Sequence, residues 1–330
     1  MAYASVHALS TGSLTLPERF FITPADDNAK RTVPSLSFLI QHHSADGATT
    51  RLVFDLGLRR DTKLYPQVLQ KHIQSRSPVS TEPDAVASLA KGGLSPSNIN
   101  FILFSHVHYD HVGLPSDFGP PTKFIVGPGA LDLLSGTNQL NIGSHSFFEA
   151  DLLPPDRTIE LPTPSATNPV LSATKPLPPK AESGIDTPLI LSWSSHPLPS
   201  FENTIDLFGD NTIHILHAPG HLPGHINLLV RTSAPNEPPK FVILAGDACH
   251  DIRLFTGERD IATWQDDTGR QCCIHYDIPR AKETIARLAK VQREGIEVAG
   301  VRGEVEVVFA HNWEWEEDAV RRGRFWPGKL

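Results

Sequence analysis

Apolar residues come in short, dense runs along most of this chain, and several of those runs stop on an ionisable residue. Residues 36–40 and 52–57 are two such runs, split by the polar Ser44-Ala45-Asp46-Gly47, which predicts a hairpin. Residues 101–104, 123–126, 212–218, 225–230, 241–246 and 305–310 read as further strands, their apolar character being that of buried ones. Between them, residues 64–73 and 83–91 carry helical spacing, the second closed by Gly92-Gly93, and Pro128 opens a short helix reaching residue 134. Residues 279–294 make the clearest amphipathic helix: Ala281, Ile285, Leu288, Ala289 and Val291 form its apolar stripe and Gly295 ends it. One stretch breaks the pattern. From 154 to 199 prolines crowd a Ser/Thr-rich segment, and because proline supplies no ladder donor the stretch is expected to be a surface insertion rather than part of a central sheet. It reads either as a lid with Trp193 packed near its end or as a loop with no role. His196, within it, reads as an ordinary surface histidine.

The chemistry lies where the apolar runs stop. Residues 101–104 lead into Ser105-His106-Val-His108-Tyr-Asp110-His111, where alternation aims His106 and His108 to one side and Asp110 and His111 open the next segment. So many polar groups at the end of a buried strand are costly without an ion to satisfy them, and neutral imidazoles with a carboxylate suit Zn, Fe or Mn. The strand at 212–218 runs into Pro219-Gly220-His221-Leu-Pro-Gly224-His225, where glycines let the backbone turn and bring an imidazole back. His221 is the better ligand candidate, and His225 is expected to make a structural hydrogen bond. The strand at 241–246 delivers Asp247, which alone would read as a helix cap. Beside the histidines it reads as the bridge between two metals, since a carboxylate can offer one oxygen to each. Asp55, at the end of the second apolar run, is expected to hydrogen-bond a ligand or loop rather than do chemistry itself. The strand at 305–310 delivers His311.

Composition narrows the partners. The 330 residues suffice for one large or two modest domains, and the reading adopted is one domain carrying the proline-rich insertion. A formal charge of -8 argues against a nucleic-acid partner, whose binders present basic stripes. Only Arg321-Arg322-Gly323-Arg324 is locally basic, and a solvated tail accounts for it. Three cysteines, two of them vicinal (Cys272 and Cys273), do not make an ordinary disulfide framework and fit a reducing compartment. No run is long enough to cross a membrane, the amino terminus lacks a secretory pattern, and Gly328-Lys329-Leu330 is only a weak echo of a peroxisomal address. A cytoplasmic location is expected.

Taken together, Ser105-His106-Val-His108-Tyr-Asp110-His111, Pro219-Gly220-His221, Gly246-Asp247 and Ala310-His311 resemble the metallo-β-lactamase superfamily, from about residue 36 to residue 315. The resemblance implies an α/β fold of the αβ/βα sandwich type: two mixed sheets face to face, helices outside, metals at one edge. It implies that His106, His108 and His221 hold a first metal, that Asp110, His111 and His311 hold a second, and that Asp247 bridges two Zn2+ per chain, with Fe or Mn as alternatives. Asp55 matches the early strand-end aspartate of the family. The sequence is most similar to the branch that opens lactones, N-acyl homoserine lactones among them, and to related fungal lactam hydrolases. The implied reaction is attack of a metal-bound hydroxide on the carbonyl of a small cyclic ester or amide. A homodimer is left open.

One position departs from that branch, whose lactonases carry a tyrosine three residues after the bridging aspartate. Here it is His250. An imidazole can still donate a proton, so Asp110 and His250 are the candidates to protonate a leaving group, and the change tilts the expectation toward an amide-capable site. Phe20, Phe21, Trp264, Trp313 and Trp315 are read as pocket-mouth or core residues, the two being evenly balanced. The competing readings are an acyl thioesterase, of carrier-protein or glyoxalase II type, and a mononuclear iron oxidoreductase. The full ligand set argues against the second.

Overall fold

The computed structural model describes residues 2–137, 147–164, 189–234 and 236–330. Twelve of its strands form two six-stranded sheets, and four short ones pair as two ribbons, Ile22–Thr23 with Asp260–Ile261 and Trp264–Gln265 with Gln271–Cys272. The first takes β1 (Tyr3–Pro17), β2 (Lys30–His43), β3 (Thr49–Phe54), β4 (Phe101–Leu103), β5 (Lys123–Val126) and β6 (Thr158–Glu160) in chain order. Its β1–β2–β3 meander is antiparallel, and β3 through β6 pair in parallel. The second contains β7 (Thr204–Asp206), β8 (Ile213–His217), β9 (Ile226–Arg231), β10 (Lys240–Leu244), β11 (Ile296–Val298) and β12 (Val301–Val308), ordered β11-β12-β10-β9-β8-β7, with β10 and β12 parallel.

Alternation along the strands explains why the apolar runs are nearly unbroken. Leu52 and Phe54 of β3, Phe101 and Leu103 of β4, Ile213 and Ile215 of β8, and Leu228 and Val230 of β9 all enter one cluster between the sheets. Their neighbours Val53 and Ile102 face a second cluster under α2 (Ala85–Ala90) and α4 (Ala130–Leu134), the two other helices on the first sheet's side of the chain being α1 (Gln67–Gln74) and the one-turn α3 (Tyr109–Val112). Leu216 and Leu229 face a third cluster with the apolar stripe of α6 (Ile278–Glu294), which follows the short α5 (Ile252–Phe255). Strands covered on both faces need apolar residues at every position, so period two is lost. Asp277 caps α6 by accepting from the Arg280 amide, and Ala281, Ile285, Leu288 and Val291 are its buried face. The expected αβ/βα sandwich is the observed architecture. Among the described residues no helix is long and apolar enough to cross a membrane. All three cysteines are free and buried.

Two expectations are corrected. The proline-rich stretch does contribute to a sheet: Thr158–Glu160 pairs in parallel with Phe124–Val126 as the outermost strand, the position at which a sheet tolerates a proline-flanked segment. Trp193 is buried, and its indole donates to the Pro162 carbonyl at 2.6 Å, whereas residues 165–188, where a lid would lie, are outside the described residues. His196 is exposed, as expected. Arg321 and Arg322 are exposed, as expected, but Arg324 and the residues after it are not a solvated tail. After α7 (Trp313–Arg321) the chain returns along β1, with Leu330 donating to the Val6 carbonyl at 2.9 Å, and so covers a sheet edge. Arg324 pairs with Glu306 at 2.6 Å over the Trp315 ring. Trp315 itself belongs to the core, 5.9 Å from Phe38, and not to a pocket mouth.

Candidate metal centre

Asp55, His106, His221, Asp247 and His311 each follow the carboxyl end of a strand, and backbone hydrogen bonds lace those ends together. The Ile226 amide donates to Ser105, the Leu56 amide to His111, the Ala310 amide to Gly246 and the Leu36 amide to Ala310, at 2.7–3.0 Å. Gly246 sits at φ 47°, where a side chain would lie 2.6 Å from the Ser105 Cβ, so only glycine lets the two loops close on each other. Gly220, at φ 133°, approaches the backbone of Ala281 in the same way and brings His221 in over the end of α6.

Every residue expected to bind metal is buried and lies in one cluster. His221 Nε2 is 3.3 Å from His106 Nε2 and 3.1 Å from His108 Nδ1, and the last two are 2.9 Å apart. Three ring nitrogens thus face one point, at separations close to the roughly 3.3 Å edge of a tetrahedron with 2.0–2.1 Å metal–nitrogen bonds. On the other side stand Asp110, His111 and His311. Asp247 divides itself between the two groups. Its Oδ1 is 3.1 Å from His111 Nε2 and 3.2 Å from His311 Nε2, while its Oδ2 is 3.7 Å from both His106 and His221.

The surrounding groups set the tautomers. His311 Nδ1 donates to the Pro34 carbonyl at 2.7 Å and His111 Nδ1 to Asp55 at 2.9 Å. Ser105 donates its hydroxyl to Asp55 at 2.7 Å, so its oxygen is left to accept from His106 Nδ1 at 3.0 Å. In all three rings a proton is held on the far nitrogen and Nε2 is turned inward, the orientation a metal requires. Asp55 therefore holds two rings at once, the supporting role expected of it. Burial lowers the pKa values of His106 and His221 well below the ordinary range and that of His108 to about 4, keeping them neutral. Burial alone would protonate Asp247, but His111, His311 and His250 together hold its carboxyl well below the usual range. Burial also opposes a charge on His111, yet Asp247 and Asp55 outweigh it and raise its pKa well above 6.5, so a metal entering there displaces a proton. Against burial, Asp247 likewise raises the pKa of His311, and once these two rings give up a proton the imidazoles and the Asp247 carboxylate are a donor set that fits divalent ions.

His225 stays outside the donor set and accepts from the Asp247 amide at 3.2 Å, the structural hydrogen bond expected of it. His250 lies 3.0 Å from Asp247 Oδ2 through its Nε2, so it leans on that carboxylate instead of standing free. Behind it is a residue the sequence did not single out. His275 is fully buried, 5.2 Å from His221 and 5.3 Å from His250 between ring centroids, with neither ring nitrogen hydrogen-bonded. Its only sequence signal was that apolar Cys272-Cys273-Ile274 ends on a histidine.

A small cavity opens on the centre, walled by Leu16, Phe21 and Ile274 and by His72, Arg76 and Tyr109 around the donors. Phe21 packs 5.1 Å from His250. Phe20 and Trp264 pack on each other 4.8 Å apart, and Trp313 carries Arg31 at 4.7 Å beside a neighbouring hollow that also reaches His250 and His311.

The chain belongs to the metallo-β-lactamase superfamily, whose sequence model matches residues 31–231. A protein named cytochrome P450 monooxygenase mpaDE from Penicillium brevicompactum is 27% identical over 98% of this chain, and this chain spans only 35% of it. The γ-lactamases FDB1 of Fusarium pseudograminearum and MBL2 of Gibberella moniliformis are 27% and 28% identical, over 67% and 62% of this chain and 46% and 72% of their own lengths. Among solved structures, an N-acyl homoserine lactone hydrolase with N-hexanoyl-L-homoserine at its catalytic metal centre superposes over the whole of both chains with a TM-score of 0.62 at 17% identity. The dizinc quorum-quenching lactonase AidC aligns over 94% of this chain and 88% of its own with a TM-score of 0.54 at 12% identity. These two share the fold.

Proposed function

We propose that this chain is a dinuclear metal-dependent hydrolase that opens small cyclic esters or amides, lactones or lactams, with two zinc ions as its metals. The observation that carries the proposal is the division of Asp247 between two donor groups, one oxygen turned to His111 and His311 and the other to His106 and His221. His106, His108 and His221 would hold one ion and Asp110, His111 and His311 the other, with Asp247 between them. When bound, such ions supply Lewis acidity and bring the pKa of water from about 16 to around 7. The protein's own part is to fix the ring tautomers through Asp55, Ser105 and Pro34, to exclude bulk water with Leu16, Phe21 and Ile274, and to deliver a proton to the departing oxygen or nitrogen. Asp110 and His250 would make that delivery, a reading supported by their both lining the cavity. Two γ-lactamases among the relatives support the ring-opening class. The monooxygenase name of the first relative describes a protein of which this chain spans 35%, and a P450 haem is held by a cysteine thiolate, whereas the donors here are imidazoles and carboxylates.

The test joins metal analysis to a substrate panel. Two divalent ions per chain and turnover of a γ-lactone or a bicyclic lactam, with acyl thioesters inert, are expected. A single redox-active iron, or thioester cleavage without ring opening, would replace this reading with one of its competitors.

A further inference from the structure

We infer that the ligand of this cavity carries an acidic group, a carboxylate on an otherwise apolar ring, and that Arg76 is its anchor. This deepens the ring-opening reading and rests on it only for what happens at the metals. Arg76 is 8% exposed and its side chain lines the same cavity as Asp110, Asp247 and His250. Among the described residues no carboxylate lies within ion-pair distance of its guanidinium and no acceptor takes its protons; its neighbours are His72 and Tyr109, which line the cavity with it, and the Phe20 ring at 5.9 Å. Arg59, buried to 3% exposure, shows what a structural arginine looks like in this protein. Its fork is filled by the Gly113 carbonyl at 2.8 Å, the Leu64 carbonyl at 2.5 Å and Glu149 at 2.6 Å.

A buried guanidinium without a partner is costly, and its planar fork matches a carboxylate bidentately. The backbone of Arg76 does have a fixed job, since its carbonyl accepts from the Thr15 amide at 2.8 Å, but any residue would do that, so the charge needs another explanation. Leu16, Phe21 and Ile274 give the remaining wall an apolar character suited to a ring. A compact ring acid enters the cavity with its carboxylate on Arg76 and its ester or amide toward the donors.

Titration calorimetry on the zinc-loaded protein with benzoate and with benzamide, two probes of one shape and different charge, tests this without requiring turnover. Benzoate is expected to bind more tightly than benzamide. Arg76→Met, which keeps the stem and the backbone contact, should weaken benzoate by about 10- to 100-fold and leave benzamide unchanged. Arg76→Lys should recover part of the loss. Equal benzoate affinity in wild type and Arg76→Met would place the carboxylate on the metals alone and overturn the inference, as would an equal loss for benzamide. Opening of a neutral γ-lactone, assayed in parallel, reports on the hydrolase reading separately: if it fails while benzoate still depends on Arg76, the anion site stands and the reaction assignment falls. If ring opening occurs, Arg76→Met should raise KM for an acid-substituted lactone with little change in kcat.

Discussion

Both ends of the sandwich bury a histidine against an aspartate, and among the described residues only one end gathers a donor cluster that fits a metal. At the carboxyl ends of β3, β4, β8, β10 and β12, His111 pairs with Asp55 at 2.9 Å; at the opposite end, His42 of β2 pairs with Asp210, before β8, at 2.7 Å. The two rings are 1% and 2% exposed, so burial does not tell them apart. Convergence does. The inward nitrogen of His111 meets Asp247, which also meets His311 and faces His106 and His221. The ring of His42 instead stacks on Phe208 at 3.9 Å, and its second nitrogen has no hydrogen-bond partner. A buried imidazole held by a carboxylate is thus a common device for tying two elements together. It becomes a metal site where several such rings are pinned from behind and turned toward one point.

If that contrast is right, the centre should depend most on the residue that joins its two halves. Asp247→Asn keeps the shape but cannot offer an anionic oxygen to each side, so at most one tightly held ion per chain and a fall in turnover of at least about a thousandfold are expected, read by elemental analysis and a ring-opening assay. Full metal content in that variant would sink the bridging role. Asp55→Asn probes the pinning from behind. An amide turned with its NH2 toward His111 forces the other tautomer and places a proton where the metal lone pair should be; turned the other way, it sets NH2 against the Ser105 amide. The expected loss in metal affinity is about 10- to 100-fold with the fold retained, measured by competition with a chelator. An unchanged affinity would mean that the rings hold their tautomers without help.

The same contrast explains what the sequence could reveal. His106, His108, Asp110, His111, His221, Asp247 and His311 follow strand ends, where an apolar run that abruptly turns ionisable marks both the strand and its cargo. The strands themselves were legible for the same reason, being covered on both faces. The cavity wall was not. Arg76 stands between Ser75 and Ser77 after a helix, like any surface arginine, and what distinguishes it is a lack of partners that only coordinates show. His275 comes from a loop without periodicity. β1 was hidden by its own composition, since Ser10, Thr11 and Ser13 interrupt the apolar alternation at a register shift. β6 was hidden because an outermost strand of three residues needs little signal to pair. Arg324 read as solvated because its charge was visible and its cover over Trp315 was not.

The smallest expected effect is at the far end, and it is the one that isolates the structural pair. Burial disfavours ionisation of Asp210, but the hydrogen bonds from His42 and Thr212 outweigh it and set the pKa below the ordinary value. A carboxyl depressed in the folded state adds stability that is present above its unfolded pKa of about 4 and disappears as pH falls through the lower folded value. Asp210→Asn keeps an acceptor for His42, removes that charge and turns its NH2 toward the Thr212 amide. It should cost about 1–2 kcal/mol near neutral pH, an ion pair's share plus one lost hydrogen bond. Denaturant titrations of the two proteins should draw together as pH drops below about 4, while metal content and turnover at neutral pH stay equal. A loss of bound metal in Asp210→Asn would show that the two ends are coupled through the strands, and the distinction between tie and site would fail.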